Sequence, residues 1–174
     1  MKLGNGRIYC VPFSENEITD QYISWLNDKD VCKYNSHGDD LYTREKALIF
    51  LESLRNDECR KVYAVYALPN RVHIGNISLQ QIDIKNRSAE VALLFGEKAF
   101  WGQGYATEAL EKMIFLARKL KLHRLYFGTH IDNVAMQKVG IKCGFRQEGV
   151  LRDAQLKNMR YNDVIIFGLL VEDD

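Results

Sequence analysis

The chain has 174 residues, 47% hydrophobic and 27% charged, which suits one domain (1–174) with a sizeable core and excludes disordered or collagen-like architectures. Lys and Arg total 24 against 23 Asp and Glu, and the formal charge of +1 argues against a whole-domain nucleic-acid binder. No apolar run nears the ~20 residues of a membrane span, no leader is legible, and the four cysteines are scattered without zinc spacing, so the expectation is a soluble, cytoplasmic domain without a metal.

Residues 7–11 read as a first strand, ended by Pro12. Ile18, Tyr22, Trp25 and Leu26 recur at helical spacing and predict a helix over 17–27. A polar, irregular stretch follows over 28–40. Thr43 suits an N-cap for a second helix, whose stripe is Ala47, Leu48, Leu51 and Leu54 and which ends near residue 55. The period then changes. Residues 62–68, 73–84 and 88–95 read as strands separated by Pro69-Asn70-Arg71 and Lys85-Asn86-Arg87, and turns that short imply an antiparallel meander. The strongest helix spans 104–120, with Ala106, Ala109, Leu110, Met113, Ile114, Ala117 and Leu120 on one stripe. A strand over 124–130 and a short helix from the N-cap Asn133 to Gly144 follow. A closing hairpin pairs 150–156 with 164–170 across Asn158-Met159. Strand 88–95, the long helix and strand 124–130 form a β-α-β unit, and hence a right-handed parallel crossover. The reading is an α/β (α+β) domain with a mixed, mostly antiparallel sheet and about four helices.

The segment Trp101-Gly102-Gln103-Gly104-Tyr105-Ala106 joins strand to helix. Glycines there permit a tight turn and close approach of a ligand, and the free N–H groups of the first helical turn favour a pyrophosphate. The alternative is a glycine loop that only connects two elements. No G-x-x-x-x-G-K-[ST] occurs, and Thr107 stands where a dinucleotide fingerprint needs its third glycine.

Three ordered blocks carry a resemblance: the glycine loop with its continuation Thr107-Glu108-Ala109-Leu110, the stretch from Asn133 to Phe145, and a C-terminal hairpin holding Glu148-Gly149-Val150-Leu151-Arg152-Asp153 and Arg160-Tyr161-Asn162-Asp163. On these the chain resembles the Gcn5-related N-acetyltransferases, in their ribosomal-protein alanine acetyltransferase-like branch. The resemblance implies a sheet of about seven strands and an acetyl-CoA-dependent enzyme that releases coenzyme A. It implies a thioester carbonyl polarised by a backbone N–H near Leu93, Leu94 and Phe95. It places the coenzyme on Trp101 through Thr107, with Trp101 at the family's Arg/Gln position, and on Asn133, Met136 and Lys138. Asn133 reads equally as an N-cap, and Lys138 as a solvated helix lysine.

An attacking amine must be neutral, so a base is needed. Glu90, sharing its strand face with Ala92 and Leu94, is the candidate; a cross-strand ion pair with Lys85 or Arg87 is the alternative. Many relatives carry a tyrosine four residues before the last helix's Gly-Phe as the acid for the thiolate. Here that position is Gly140, and the serine of Asn-x-x-Ser is Met136. The acid is therefore unassigned, with His130, Tyr126 and Tyr161 candidates by type. Tyr34, Asn35, Ser36 and His37 offer an acceptor site suited to a polar, sugar-like amine, with His37 a second candidate base. The expectation is an amino sugar or nucleotide-linked amino sugar as acceptor, in a monomer or homodimer without nucleic-acid or membrane partners. A protein N-terminus is the second choice, and a non-catalytic acyl-CoA-binding module or a nucleotide-binding switch the readings outside the enzyme class.

Overall fold

The computed structural model describes residues 3–4 and 6–171. Eight strands form one sheet: β1 (Leu3–Gly4), β2 (Ile8–Pro12), β3 (Lys61–Ala67), β4 (Val72–Asp83), β5 (Ser88–Phe95), β6 (Arg124–His130), β7 (Arg146–Lys157) and β8 (Arg160–Leu170). Their order is β1-β2-β3-β4-β5-β6-β8-β7, and every neighbouring pair is antiparallel except β5–β6. Four helices flank it: α1 (Asp20–Asn27), α2 (Arg44–Ser53), α3 (Tyr105–Lys119) and α4 (Val134–Lys142).

Both faces of the sheet are covered. Ala109, Leu110, Met113, Leu116 and Ala117 of α3 enter the larger core with Val91, Leu125, Phe127 and Phe167. On the other face Ile18, Tyr22, Trp25, Leu26 and Ala47 pack with Phe13 and Ala64. Double coverage explains why β4 buries consecutive residues instead of alternating ones.

Several boundaries move. The first helix starts at Asp20, capped by the Thr19 hydroxyl, because residues 15–17 form a separate 3-10 turn. Pro12 continues its strand, in register with Tyr63, since a proline is tolerated at a strand's end. Thr43 does cap α2, which stops at Ser53, and Leu48 lies on its exposed side. In α3 the buried stripe takes in Thr107 and Leu116 and leaves Leu120 exposed. The closing hairpin is longer than its apolar residues suggest, because exposed polar residues continue β7 and β8 toward a turn with both Asn158 and Met159 at positive φ. The eighth strand is the short β1.

Candidate active site

The parallel ladder between β5 and β6 is only three residues long: Ser88↔Arg124, Ala89↔Leu125 and Glu90↔Tyr126. Beyond Glu90 the strands part, while β5 stays paired to β4 and β6 to β8. The result is a cleft in the sheet, floored by the last parallel pair. Arg87 C=O accepts from Arg124 N–H, whereas Gly96 N–H donates to Ile74 on the β4 side. Alternation along the strand therefore turns the N–H groups of Leu93 and Phe95 into the cleft and that of Leu94 toward β4. Phe95 C=O is taken by the Trp101 indole at 2.8 Å, so Leu93 offers both of its backbone groups.

The loop beyond β5 turns on two glycines. Gly102 and Gly104 sit at φ +72° and +85°, the left-handed region that favours glycine. Gly104 is the N-cap of the 15-residue α3 and has no side chain to satisfy the first-turn N–H groups, so these stay available. The loop is fixed from outside. Arg7 donates to Gln103 C=O at 3.0 Å and to Glu108 at 3.3 Å, and lies 4.4 Å over the Tyr105 ring. Glu108 also accepts from Ile8 N–H at 3.1 Å, and Gln103 donates its amide back to Ala99 C=O at 2.6 Å. Ala106 is half-buried and the Thr107 side chain is buried, so Thr107 offers the loop only its backbone.

On the far side of the cleft, Asn133 caps α4, its carbonyl oxygen accepting from Met136 N–H at 3.2 Å. Its amide nitrogen keeps two donors. Met136 packs against the larger core, and Lys138 is exposed on α4. A Cβ on the buried Gly140 would lie 2.4 Å from Phe127 Cζ, so Phe127 fills the place of any side chain there.

Glu90 stands where the parallel pairing ends. Gln81 Nε2 donates to its carboxylate at 2.9 Å, and Tyr126 OH donates to Gln81 Oε1 at 3.4 Å. Gln81 sits at φ +49° in a β4 irregularity between Gln80 and Asp83, which aims its amide at this pair. Sequence reasoning missed Gln81, for which no glycine or turn signal exists. Burial raises the Glu90 carboxyl above the usual carboxylate range, and the Gln81 bond opposes that.

Residues 31–42 reach the cleft from the α1 side. The Tyr34 ring packs 5.2 Å from His130, at the end of β6. Asn35 is spent inside the loop, accepting from His37 N–H at 2.8 Å and donating to Val31 C=O at 3.1 Å. Ser36 is exposed; His37 is half-buried, edge-on to Tyr42, and burial followed by the Lys157 charge holds its imidazole below the usual histidine range. The loop is tied to the hairpin through Lys157, buried at 6% exposure, which donates to His37 C=O and pairs with Asp39 at 2.8 Å. On the other flank Lys98 holds both Asp28 at 2.8 Å and Asp30 at 2.6 Å. Among the described residues no cluster of three His, Cys, Asp or Glu is placed for a metal, and no helix is long and apolar enough to cross a membrane.

A family model for the acetyltransferase (GNAT) domain matches residues 7–146. The ribosomal-protein-serine acetyltransferase of Escherichia coli (strain K12) is 31% identical over 100 residues, 57% of this chain and 55% of that protein, so the chain matches about half of that relative's length. The "Probable N-acetyltransferase YjcK" of Bacillus subtilis (strain 168) is 30% identical over 142 residues, 79% and 78% of the two chains. In fold, the chain is similar to the spermidine N-acetyltransferase of Vibrio cholerae, solved with CoA and spermine, at TM-score 0.86 and 20% identity over 96% and 97% of the chains.

Proposed function

The chain belongs to the acetyltransferase (GNAT) family, an acetyl-CoA-dependent one, and from that premise we propose that it acetylates a primary amine in the cleft between β5 and β6, with Glu90 as base. The observation that carries this reading is the parting of the two strands beyond Glu90–Tyr126, beside the uncapped N-terminus of α3. The residues fit the coenzyme. Backbone N–H groups from Gly102 to Thr107 suit the pyrophosphate, with Arg7, paired to Glu108, bracing the loop that carries them. The unpaired edge of Leu93 suits the pantetheine amides and the thioester carbonyl, with Asn133 opposite. An N–H already oriented by a β-sheet stabilises developing charge without reorganisation.

Glu90 takes the amine's proton. A raised carboxyl pKa makes it a stronger base than a solvated glutamate, and the Gln81 bond favours its carboxylate form. His37 suits that task less, because it is turned onto Tyr42 with Lys157 beside it.

For the acceptor, the arrangement favours a small amine on a polar body without further ammonium groups, an amino sugar or nucleotide-linked amino sugar. Asp39 is paired with Lys157, and Asp28 and Asp30 share Lys98, so two lysines leave one net negative charge among these three carboxylates, little for the further ammonium groups of a polyamine. A protein N-terminus is the second reading, favoured by the ribosomal-protein relative. The test is acetyl-CoA turnover with amino sugars, their nucleotide conjugates, N-terminal peptides and spermidine. The proposal expects the highest kcat/KM among the sugars; a peptide preferred at least tenfold selects the second reading, and no turnover with any amine leaves a binding module.

A further inference from the structure

We infer that His130 serves the sulfur side of the reaction: its Nε2–H donates a hydrogen bond to the coenzyme sulfur as the carbon–sulfur bond breaks. The inference rests on the acetyl-transfer reading above.

Position comes first. His130 is the last residue of β6 and shares a strand face with Tyr126. Continuing the Glu90↔Tyr126 register four residues along both strands brings Leu94 level with His130. That is the level of the Leu93 and Phe95 N–H groups across the cleft, where a thioester would lie. Orientation is equally constrained. Nδ1 accepts from Asp132 N–H at 3.0 Å, so the neutral ring carries its proton on Nε2. Asn133 N–H donates to His130 C=O at 2.9 Å, and the Tyr34 ring lies against the imidazole. The residue is only 6% exposed, yet among the described residues Nε2 has no hydrogen-bond partner. Among the described residues no buried side-chain nitrogen or oxygen lacks a partner, so Nε2 must reach open space. Among the described residues the one carboxylate paired with the ring, Asp132, stands 3.9 Å away on the Nδ1 side.

A buried ring with one nitrogen anchored and the other turned outward as a donor calls for an acceptor. The two tyrosine candidates are placed for less: Tyr126 OH is spent on Gln81, and Tyr161 is 67% exposed near the hairpin tip. In the step itself, the amine nitrogen bonds to the acetyl carbon and gives its proton to Glu90. The carbon–sulfur bond breaks with its electron pair on sulfur. His130 keeps its own proton and shares it with that sulfur, and the thiolate is protonated from solvent. A donor to a charged acceptor does not need to be an acid, because a thiolate is already a competent leaving group near neutral pH.

The experiment compares wild type with His130→Phe and His130→Gln, the glutamine offering a donor of similar reach. The thiol of bound CoA is titrated by its thiolate ultraviolet absorbance, and affinities for CoA and desulfo-CoA are measured by calorimetry. The expected result is a bound-thiol pKa about one unit higher in His130→Phe, a tenfold shift in the thiolate equilibrium, partly restored by glutamine. Desulfo-CoA should bind all three alike, which also shows that each variant is folded. An unchanged thiol titration overturns the inference, as does a parallel loss of desulfo-CoA affinity. Wild-type protein that binds no CoA overturns the acetyl-transfer reading itself, and this inference with it.

Discussion

Phe127 occupies the space that any side chain at position 140 would need: a Cβ on Gly140 would stand 2.4 Å from Phe127 Cζ. Phe127 is in turn stacked on Phe167 at 5.1 Å and tilted against Phe145 at 5.1 Å. The aromatic layer therefore closes the route by which α4 would deliver a proton donor. Gly140→Ala should lose about 1–3 kcal/mol to overpacking, read by urea unfolding. Adding Phe127→Leu should recover much of it, since residues in contact couple. Gly140→Tyr should unfold the domain and not raise its rate; a folded, faster variant would refute this account of the missing acid.

Gly104 separates backbone freedom from ligand space. Valine there meets the left-handed φ as well as the anion, whereas asparagine tolerates that φ. Both variants should weaken acetyl-CoA binding at least about tenfold, or ~1.4 kcal/mol. Only Gly104→Val should lower the melting temperature. Calorimetric affinity unchanged in a folded Gly104→Asn would remove the loop from the coenzyme site.

Glu90→Gln keeps shape and removes charge. Its rate near neutral pH should fall about 10²-fold or more, the usual contribution of a positioned base, with coenzyme affinity nearly constant. Activity should partly recover as pH rises and more amine is already neutral, near ~8 for an α-amino group. A pH–rate profile and a melting curve on one sample decide the matter: a purely structural carboxylate would lower the melting temperature and leave turnover per folded molecule intact.

Lys157 holds the loop over 31–42, proposed to meet the acceptor, to the hairpin from a nearly buried position. Lys157→Met should raise the acceptor KM several-fold and cost about 1–3 kcal/mol, because Asp39 and the His37 carbonyl lose a charged partner. Acetyl-CoA affinity, which depends on the opposite side of the cleft, should not move. A KM unchanged across the whole amine panel would show that residues 34–37 do not touch the acceptor.

His37 and His73 share a pH signature. Burial holds both imidazoles below the usual histidine range; around His73 lie Trp25 at 4.9 Å and Tyr66 at 5.1 Å. Such a histidine takes up its proton more readily in the unfolded chain. Its contribution to stability is whole above about pH 6.5 and is lost as pH falls through the depressed folded values. Urea unfolding between pH 8 and pH 5 should show stability declining on the acid side, less steeply in His73→Gln. A flat profile would contradict it.

The order of elements was legible because each signal is local. The strand over 88–95, the strand over 124–130 and the N-caps Thr43 and Asn133 need only neighbouring residues to be read. The glycine loop was legible for the same reason, its left-handed positions being glycines. What escaped is tertiary. Gln81 reaches Glu90 through an irregularity without a sequence mark, and Lys157 meets residues 120 positions away. Asn35, polar by type and so an attractive acceptor contact, is used up in folding its own loop. The absence of a side chain at position 140 is plain in the sequence, but its cause is the ring of a residue on another element.

The three-residue ladder between β5 and β6 has a thermodynamic consequence. The half-sheets on either side share the core beneath α3 but only three rungs of backbone pairing, so the N–H and C=O of Leu93 beyond the seam have no partner on a neighbouring strand. A pantetheine arm lying between them would act as a ninth strand supplied from solution, and its binding free energy would be added to folding by RT ln(1 + [L]/Kd). Half-sheet coupling, slow amide exchange at Leu93 and a finished wall for the acceptor would then arrive together. Coenzyme before amine is then the order expected in initial-rate kinetics.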